Sequence, residues 1–161
     1  MRFPVDHEHR YEITTTWTGN RGAGTKDYRA YARDHEIYAE GKSAPVAGSS
    51  DKSFRGDAAR YNPEELLVAS LSACHMLWFL HLCAEAGIVV TDYRDSATGT
   101  MVEHTDGSGE FARVTLRPHV VITSPDRIAE ATELHAKAHL LCFVARSVNF
   151  PVEHEPVVKT L

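Results

Sequence analysis

The sequence predicts an α+β fold in which antiparallel sheets are wrapped around helices, because strand-like and helical segments follow one another in blocks. One long apolar segment, Asn62 to Gly87, has the ends and composition of a helix. Stretches rich in β-branched and aromatic residues lie on both sides of it, and a second segment with helical spacing follows near the end of the chain. With 161 residues, the chain can bury its own core, so we expect residues 1–161 to form a single domain.

The region before the long helix predicts two strands and a loop. Residues 9–18 are β-branched and aromatic, and the glycines that follow them indicate a turn. Alternation in residues 25–41 predicts a second strand. Residues 41–61 are small, polar and charged without a clear period, which indicates a loop of the length that functional or mobile segments have.

The long helix should begin and end at recognisable residues. Asn62 can cap the first turn, and Glu64 and Glu65 place negative charge at the positive helix end. Gly87 supplies the stop. Between Glu65 and Glu85 no side chain carries a formal charge, and apolar residues occupy every face. We therefore expect this helix to be buried almost all round.

An uncharged segment of this length also raises a membrane-spanning interpretation. Polar residues interrupt it at Ser70, Ser72, His75 and His81. Acidic residues begin it, where a membrane helix would have an aromatic and basic belt, and no other segment could accompany it into a membrane. We expect a soluble domain around the helix and no membrane partner.

After the long helix the sequence predicts more strands and a second helix. The strands are predicted at residues 88–93, 96–103, 111–123 and 152–161. Pro118 indicates an edge position or a bulge within the third of these. Residues 124–126 begin the second helix, and residues 128–143 carry apolar side chains at helical spacing.

Charge and cysteine content limit the possible functions. Asp and Glu number 22 against 17 Lys and Arg, which gives a formal net charge of -5. No basic run is present, so we expect no nucleic-acid partner. Residues 1–10 contain no apolar segment of the kind that a secretory signal needs. We therefore expect a cytoplasmic protein with reduced thiols, and 3 cysteines are too few for a disulfide scaffold.

The cysteines differ in what they can contact. Cys83 follows Cys74 by nine residues on the long helix, which turns it to the opposite side and moves it about 13 Å along the axis. A disulfide needs Cα atoms within about 7 Å, so these two cannot pair while the helix is intact. Cys142 is the intrachain candidate to pair with Cys74, although a lone buried cysteine is more often an inert core residue.

Histidines support a rival hypothesis. His135, His139 and Cys142 fall at i, i+4 and i+7 in the second helix, so one face could present three soft metal ligands. No CxxC or HExxH element accompanies them, and such spacing also suits a partly exposed face, so we expect no metal. We expect His75 and His81 to form hydrogen bonds in the core or at an interface.

Two cysteine-containing segments resemble a known family. NPEELLVASLSACHM, residues 62–76, resembles the signature of the OsmC/Ohr family, the osmotically inducible protein C and organic hydroperoxide resistance proteins. In that signature, NPE and a leucine-rich turn precede small residues and the reactive cysteine. AHLLCFVARSVNFPV, residues 138–152, resembles the family's second-cysteine segment, and WTGNRGAGT, residues 17–25, resembles its glycine-and-arginine turn. The resemblance covers nearly the whole chain and points to an OsmC-like branch.

The resemblance implies an OsmC-like fold, an intertwined homodimer and a thiol-dependent peroxidase that reduces organic hydroperoxides in antioxidant and stress defence. In such an enzyme the first cysteine becomes a sulfenic acid and then forms a redox-active disulfide with the second. Carried over, Cys74 is the peroxidatic thiol, Cys142 is the resolving thiol and Glu64 is the carboxylate of NPE. No bound cofactor is implied, and a lipoyl-type dithiol or a small thiol is the expected reductant.

Arg21 is the match to the family's activating arginine, with Arg29 and Arg33 as alternatives. A guanidinium lowers the pKa of a nearby thiol, and a carboxylate can orient the guanidinium through a bidentate pair. Glu64 precedes Cys74 by ten residues, which is about 15 Å along a straight helix. We therefore predict that each site is shared, with Glu64 and Arg21 supplied by a partner chain.

Two departures from the family pattern concern the substrate pocket. Phe143 follows the second cysteine, where many members have proline, and this could move the resolving sulfur. His75 and Trp78 make the first-cysteine region bulkier and more aromatic than in typical members. We expect these three side chains to shape the pocket. The alternatives are a non-catalytic OsmC-fold dimer that binds an apolar small molecule, and a His/Cys metal-binding protein.

Overall fold

The computed structural model describes residues 7–161, which form two compact units. The first unit ends at Pro63 and contains one three-stranded sheet. The second unit, Glu64–Leu161, contains nearly all of both α-helices and two further three-stranded sheets. The α+β class is thus confirmed, whereas a single domain over residues 1–161 stays a prediction. The expected lack of a secretory signal concerns residues 1–10, of which residues 1–6 lie outside the described part.

The sheet of the first unit is antiparallel and has the order β1-β2-β3. Its strands are β1 (Thr14–Trp17), β2 (His35–Tyr38) and β3 (Val46–Gly48). The strands predicted at residues 9–18 and 25–41 are therefore each shortened to 4 residues. β3 lies in the region predicted to be a loop, because a strand of 3 residues is too short to show a period.

The long helix is confirmed as α1 (Pro63–Glu85). Gly87, just beyond it, has φ of 69°, in the left-handed region that glycine adopts most easily. The Gly87 N–H donates to the Ala84 carbonyl at 3.1 Å, and the Ile88 N–H donates to the Cys83 carbonyl at 2.8 Å. These bonds satisfy carbonyl groups that the end of a helix otherwise leaves unpaired.

Burial of α1 is narrower than predicted. Its buried residues form one stripe at helical spacing: Leu71, His75, Phe79, Leu82 and Cys83. On another face Leu77 is 62% exposed. The prediction of burial all round is wrong for the single chain, because the chain covers one side of the helix only. By length and composition, α1 is the one helix in residues 7–161 that could cross a membrane, a test that the core helix of a soluble protein also passes.

The second unit continues with six strands and another helix. These are β4 (Val90–Asp95), β5 (Thr98–Glu103), β6 (Gly109–Leu116), β7 (Pro118–Ile122), α2 (Ile128–Leu141), β8 (Val152–His154) and β9 (Val157–Lys159). One sheet has the order β4-β7-β9 and the other has the order β5-β6-β8. The β4-β7 and β5-β6 pairs are antiparallel, whereas β9 joins β7 and β8 joins β6 in parallel.

Two predicted strands are each two strands in the structure. The longer one divides at Arg117 into β6 and β7, which belong to different sheets. Pro118 has no N–H to donate and begins β7, while the Asp95 carboxylate accepts from the Arg117 N–H at 2.7 Å. The strand predicted at residues 152–161 likewise divides into β8 and β9. Alternation continues through both breaks, so the sequence pattern does not reveal a change of sheet.

Two apolar clusters fill the second unit. The larger joins α1 to α2 and β7, and its buried members are Phe79, Leu82, Cys83, Ile88, Val120, Ile122, Ala131 and Ala138. The smaller joins α1 to β6 through Leu71, Val114 and Leu116. α1 contributes to both clusters, and α2 covers its C-terminal half.

We expect Gly87→Ala to lower the free energy of unfolding by about 1 kcal/mol, because a Cβ atom disfavours left-handed backbone. Urea unfolding followed by circular dichroism measures the change. Gly87→Asn should destabilise less, since asparagine tolerates this conformation better than alanine. If Gly87→Ala is as stable as the wild type, the helix end does not depend on glycine.

Candidate active site

The side chains of Cys74 and Cys142 contact each other in the second unit. Cys74 lies in the middle of α1, and Cys142 is the first residue after α2. The Cys74 side chain lies close enough to that of Cys142 to raise its pKa, and neither cysteine is in a disulfide. Cys74 is half-buried, whereas Cys142 is 1% exposed. Neighbouring thiols of unequal exposure are the arrangement that a redox-active cysteine pair needs.

The end of α2 sets the position of the Cys142 sulfur. Helical backbone stops at Leu141, and Cys142 is extended with φ of -65° and ψ of 111°. The Ala145 N–H donates to Cys142 Sγ at 3.4 Å. Burial, and then the hydrogen bond with Cys74, raise the pKa of Cys142 to about 11. Cys142 is therefore a neutral thiol near pH 7, and Cys74 is the more accessible of the two.

Cys83 is separate from this pair. It is buried in the larger apolar cluster, beside Phe79 and Leu82. Burial raises the pKa of the Cys83 thiol to about 11. A buried neutral thiol among apolar side chains behaves as a small core residue, so Cys83 is a suitable control in experiments on the other two cysteines.

Four histidines meet where α1, α2 and β8 pack together. His75 Nε2 and His135 Nδ1 lie 3.0 Å apart inside the protein. The His154 ring lies 5.7 Å from the His75 ring, and the His139 ring lies 5.4 Å from that of His154, measured between centroids. His75 is 1% exposed, so the structure places it against His135 rather than on the surface beside Trp78.

The hydrogen bond between His75 and His135 leaves one ring nitrogen at each end without a partner. Within residues 7–161, neither His75 Nδ1 nor His135 Nε2 has a hydrogen-bond partner. One neutral imidazole donates and the other accepts, so either arrangement leaves one N–H and one lone pair unpaired. Each unpaired buried group costs about 1–3 kcal/mol.

Both of these buried histidines are neutral near pH 7. Burial, with a smaller contribution from His154 and His139, lowers the pKa of His75 to about 4. Burial, with smaller contributions from His75 and His154, lowers the pKa of His135 to about 3. The hydrogen bond therefore joins two uncharged rings, and protonation of either would place a charge in the core.

The metal hypothesis is not supported by this geometry. In the part of the chain that the structure describes, no group of three or more His, Cys, Asp or Glu residues is arranged to hold a metal ion. His135, His139 and Cys142 do not converge as three ligands. Their side chains instead contact His75, His154 and Cys74, respectively.

Trp78 and Phe143 form an aromatic edge next to the cysteines in sequence. Trp78 lies one helical turn after Cys74, and Phe143 directly follows Cys142. Their rings meet edge to face with centroids 5.4 Å apart, and Phe143 is 66% exposed. A shallow cleft of about 280 Å³ is lined by Leu77, Trp78 and His81. This apolar surface can receive a small molecule or another protein chain.

Glu64 does not reach Cys74 within its own chain. It lies in the first turn of α1, and the helix runs on through Cys74 without a break. Ten residues of continuous helix separate the two positions by about 15 Å along the axis. A carboxylate near the Cys74 thiol therefore has to come from another segment or another chain.

One of the three candidate arginines has partners of its own. The Arg33 guanidinium lies over the rings of Tyr28 and Tyr31, 4.3 and 4.1 Å from their centroids. It also donates to both tyrosine carbonyls. Arg21 is exposed in the first unit, in a turn where the Asn20 side chain accepts from two backbone N–H groups at 2.9 and 3.1 Å. The role of Arg21 stays a prediction.

The chain is similar to known proteins both in sequence and in fold. Residues 56–156 match the family model described as OsmC-like protein. The chain belongs to the OsmC-like protein family. The resemblance seen in the two cysteine segments is thereby confirmed.

Solved structures and sequences agree with this assignment. This OsmC-like protein is 31% identical to an OsmC-like protein of unknown function from Vibrio cholerae O1 biovar eltor str. N16961, with a TM-score of 0.84 over 93% of this chain and 100% of that one. It is also 25% identical to the uncharacterized protein YmaD of Bacillus subtilis (strain 168), in an alignment of 150 residues that covers 91% of this chain and 91% of YmaD. An organic hydroperoxide resistance protein from Elizabethkingia anophelis, 20% identical, shares the fold with a TM-score of 0.63 over 96% of this chain and 100% of that one. The predicted OsmC-like fold is confirmed.

Sequence reasoning missed two parts of this OsmC-like site. His154 was not singled out, because a histidine in a short C-terminal strand carries no local signal of its partners. The N–H of Ala145 is a backbone group, so its contact with Cys142 depends on where the chain turns after α2. The spacing of His135 and His139 was visible, but their partners lie on other elements.

Acid should destabilise this OsmC-like protein through His75 and His135. An imidazole in the unfolded chain has a pKa near 6.5, whereas the folded values are about 4 and about 3. The unfolded chain therefore binds more protons as the pH falls. Stability that is fully present above pH 6.5 is lost as the pH drops through about 4 and about 3. We expect the midpoint of urea unfolding to decrease over this range.

His135→Leu should flatten this pH dependence, because it removes one of the two titrating groups. His81→Leu is the matched control, since His81 is exposed and pairs with Glu85 on the surface. The control should keep the wild-type slope. If His135→Leu shows the same dependence of the unfolding midpoint on pH as the wild type, groups other than His135 cause the loss of stability in acid.

Proposed function

We propose that this OsmC-like protein is a thiol-dependent peroxidase that reduces organic hydroperoxides in antioxidant defence. The observation that carries the proposal is the contact between the half-buried Cys74 thiol and the buried Cys142 thiol. Solved relatives of the same fold include organic hydroperoxide resistance proteins from Elizabethkingia anophelis and Legionella pneumophila, which supports this substrate class. A cytoplasmic location, also proposed, would keep both thiols reduced between turnovers.

The proposed reaction has two steps on the protein. The Cys74 thiolate attacks the O–O bond, which yields a Cys74 sulfenic acid and an alkoxide that takes up a proton to become the alcohol. The Cys142 thiol then attacks the Cys74 sulfur. The S–S bond forms, the S–O bond breaks, and the hydroxide leaves as water with the thiol proton.

A thiol reductant closes the cycle. A lipoyl-type dithiol, or two small thiol molecules, would reduce the disulfide and itself be oxidised to a disulfide. Both protein thiols are then restored, and the cycle needs no bound cofactor. The exposed fraction of Cys74 makes it the sulfur that such a reductant reaches first.

The aromatic edge supplies a surface for the organic part of the peroxide. Trp78 and Phe143 meet beside the positions of the two cysteines and offer apolar contact area. His75 takes no part in this surface, since it is buried against His135. Alkyl and aryl hydroperoxides would therefore be preferred over hydrogen peroxide, which gains nothing from apolar contacts.

We further propose that a second copy of this chain completes each site. Exposed apolar side chains, Leu77, Leu140 and Phe143, give the two copies a surface to bury. The second copy would supply its Glu64 and Arg21, because Glu64 cannot reach Cys74 in its own chain. A bidentate pair between them would aim the guanidinium at the Cys74 thiol and favour the thiolate.

A second candidate function is the binding of an apolar small molecule without turnover. The exposed cleft lined by Leu77, Trp78 and His81 favours it. A binding protein of this kind would consume no peroxide, and Cys74→Ser would leave its ligand affinity almost unchanged. Peroxide consumption therefore separates the two functions.

One equivalent of cumene hydroperoxide should produce a disulfide between Cys74 and Cys142, detected by mass spectrometry of peptides. Cys74→Ser should abolish peroxide consumption, because it removes the nucleophile. Cys142→Ser should stop the reaction at the sulfenic acid, which dimedone traps. Cys83→Ser is the matched control and should behave as the wild type. Equal consumption by Cys74→Ser and the wild type, or none by either, would sink the proposal.

Mixing two inactive variants tests whether the sites are shared. Cys74→Ser and Glu64→Gln protomers should each be inactive or nearly so. A heterodimer of the two has one site with both Cys74 and the partner's Glu64 intact. Random mixing should then restore about a quarter of the wild-type activity, because about half of the dimers carry one complete site. No recovery in a confirmed heterodimer would show that each site lies within one chain.

A further inference from the structure

The hydrogen bond between His75 and His135 takes no part in the reaction proposed above. It joins α1 to α2 next to the cysteine pair, since His75 directly follows Cys74 in sequence. We propose that this hydrogen bond positions the Cys142 thiol against the Cys74 thiol. His75 and His135 are then positioning residues that act through the two helices.

The two contacts lie at separate points along the packing of α2 on α1. On α1, Cys74 and His75 are neighbours, so they differ by about 1.5 Å along the axis and by about 100° around it. On α2, His135 precedes Cys142 by seven residues, which places it on nearly the same side and about 10 Å further back. α2 runs back along α1, since Arg127 at the start of α2 donates to the Ala86 carbonyl at 3.0 Å, whereas Cys142 at its end lies beside Cys74 in the middle of α1. The imidazole pair lies between these two points, about 10 Å along α2 from the thiols.

The imidazole hydrogen bond restricts the orientation of α2 on α1 more than the thiol contact does alone. Apolar packing and the Arg127 contact with Ala86 hold α2 on α1, but apolar packing specifies small shifts and rotations of a helix less sharply than a directional contact does. The imidazole hydrogen bond is directional and holds a donor and an acceptor at 3.0 Å. This hydrogen bond lies about 10 Å along α2 from Cys142. A small displacement of α2 at His135 would therefore shift the Cys142 sulfur at the end of the helix.

The surroundings of His135 support a role in orientation. The Phe79 ring stacks on the His135 ring with centroids 3.9 Å apart and planes 10° apart. His75 holds the edge of the same ring. The face and the edge of the His135 ring are thus both held in place. The two outer nitrogens, His75 Nδ1 and His135 Nε2, have no hydrogen-bond partner within residues 7–161. Apolar side chains would fill this space without unpaired groups, but they would not define one orientation.

The test compares variants that keep the hydrogen bond with variants that remove it. Asparagine places its amide group near the position of histidine Nδ1, so His135→Asn can keep the bond that His135→Leu removes. Glutamine does the same for histidine Nε2, so His75→Gln and His75→Leu form a second pair if His135→Leu fails to fold. All variants carry Cys83→Ser, which leaves Cys74 and Cys142 as the two thiols of the chain.

The measured quantity is the effective concentration of Cys142 at Cys74, obtained by equilibrating the protein in glutathione redox buffers. His135→Leu should lower it about tenfold, which makes the disulfide potential about 30 mV less negative. His135→Asn should stay within about threefold of the wild type. Diamide, a chemical oxidant that takes up the two electrons and two protons of the thiols, should close the disulfide more slowly in His135→Leu as well.

Two results would overturn the positioning role. One is that His135→Leu and His75→Leu both have the same effective concentration of Cys142 at Cys74 as the wild type. The other is an equal loss in the leucine and amide variants, which would assign the effect to packing alone. The inference rests on the proposed function only in requiring that the two thiols pair. If glutathione buffers show pairing but the wild type consumes no cumene hydroperoxide, the peroxidase proposal fails and the positioning role stands.

Discussion

The crossing of α1 and α2 is the constraint on which the second unit depends. α1 belongs to both apolar clusters, so it cannot shift without opening the core. α2 packs on the C-terminal half of α1 and ends at Leu141, where the chain leaves helical backbone and directs the Cys142 sulfur to Cys74. Disulfide formation needs sulfur atoms placed far more accurately than apolar packing requires. Directional polar contacts at the crossing would supply that accuracy.

The position of Cys74 on α1 connects the buried and the exposed sides of the helix. Leu77 is three residues on, about 60° away around the axis, and is exposed. His75 is about 100° away in the other direction and is buried. The thiol thus lies at the boundary, which accounts for its half-buried state. A second chain that covered the exposed face would reach the thiol and would also bury the apolar faces that the single chain leaves open.

Local signals explain what could be predicted from the sequence. α1 was predictable because its acidic first turn, apolar composition and Gly87 all act within one segment. That Cys142 rather than Cys83 lies beside Cys74 was predictable from helical spacing and from the resemblance of both segments to one family. β3 and the division at Pro118 were not predictable, because both depend on which distant strand pairs with the segment. The contact of His75 with His135 spans 60 residues, and no local pattern encodes it.

The different environments of the two thiols bear on the order of the proposed steps. Burial raises the pKa of Cys142 to about 11, so near pH 7 this residue is a weak nucleophile that neither attacks peroxide nor is readily oxidised itself. Cys74 is exposed enough to meet a peroxide first. Once Cys74 carries a sulfenic oxygen, its sulfur is electrophilic and adjacent, and a poorly ionised thiol can then compete by proximity.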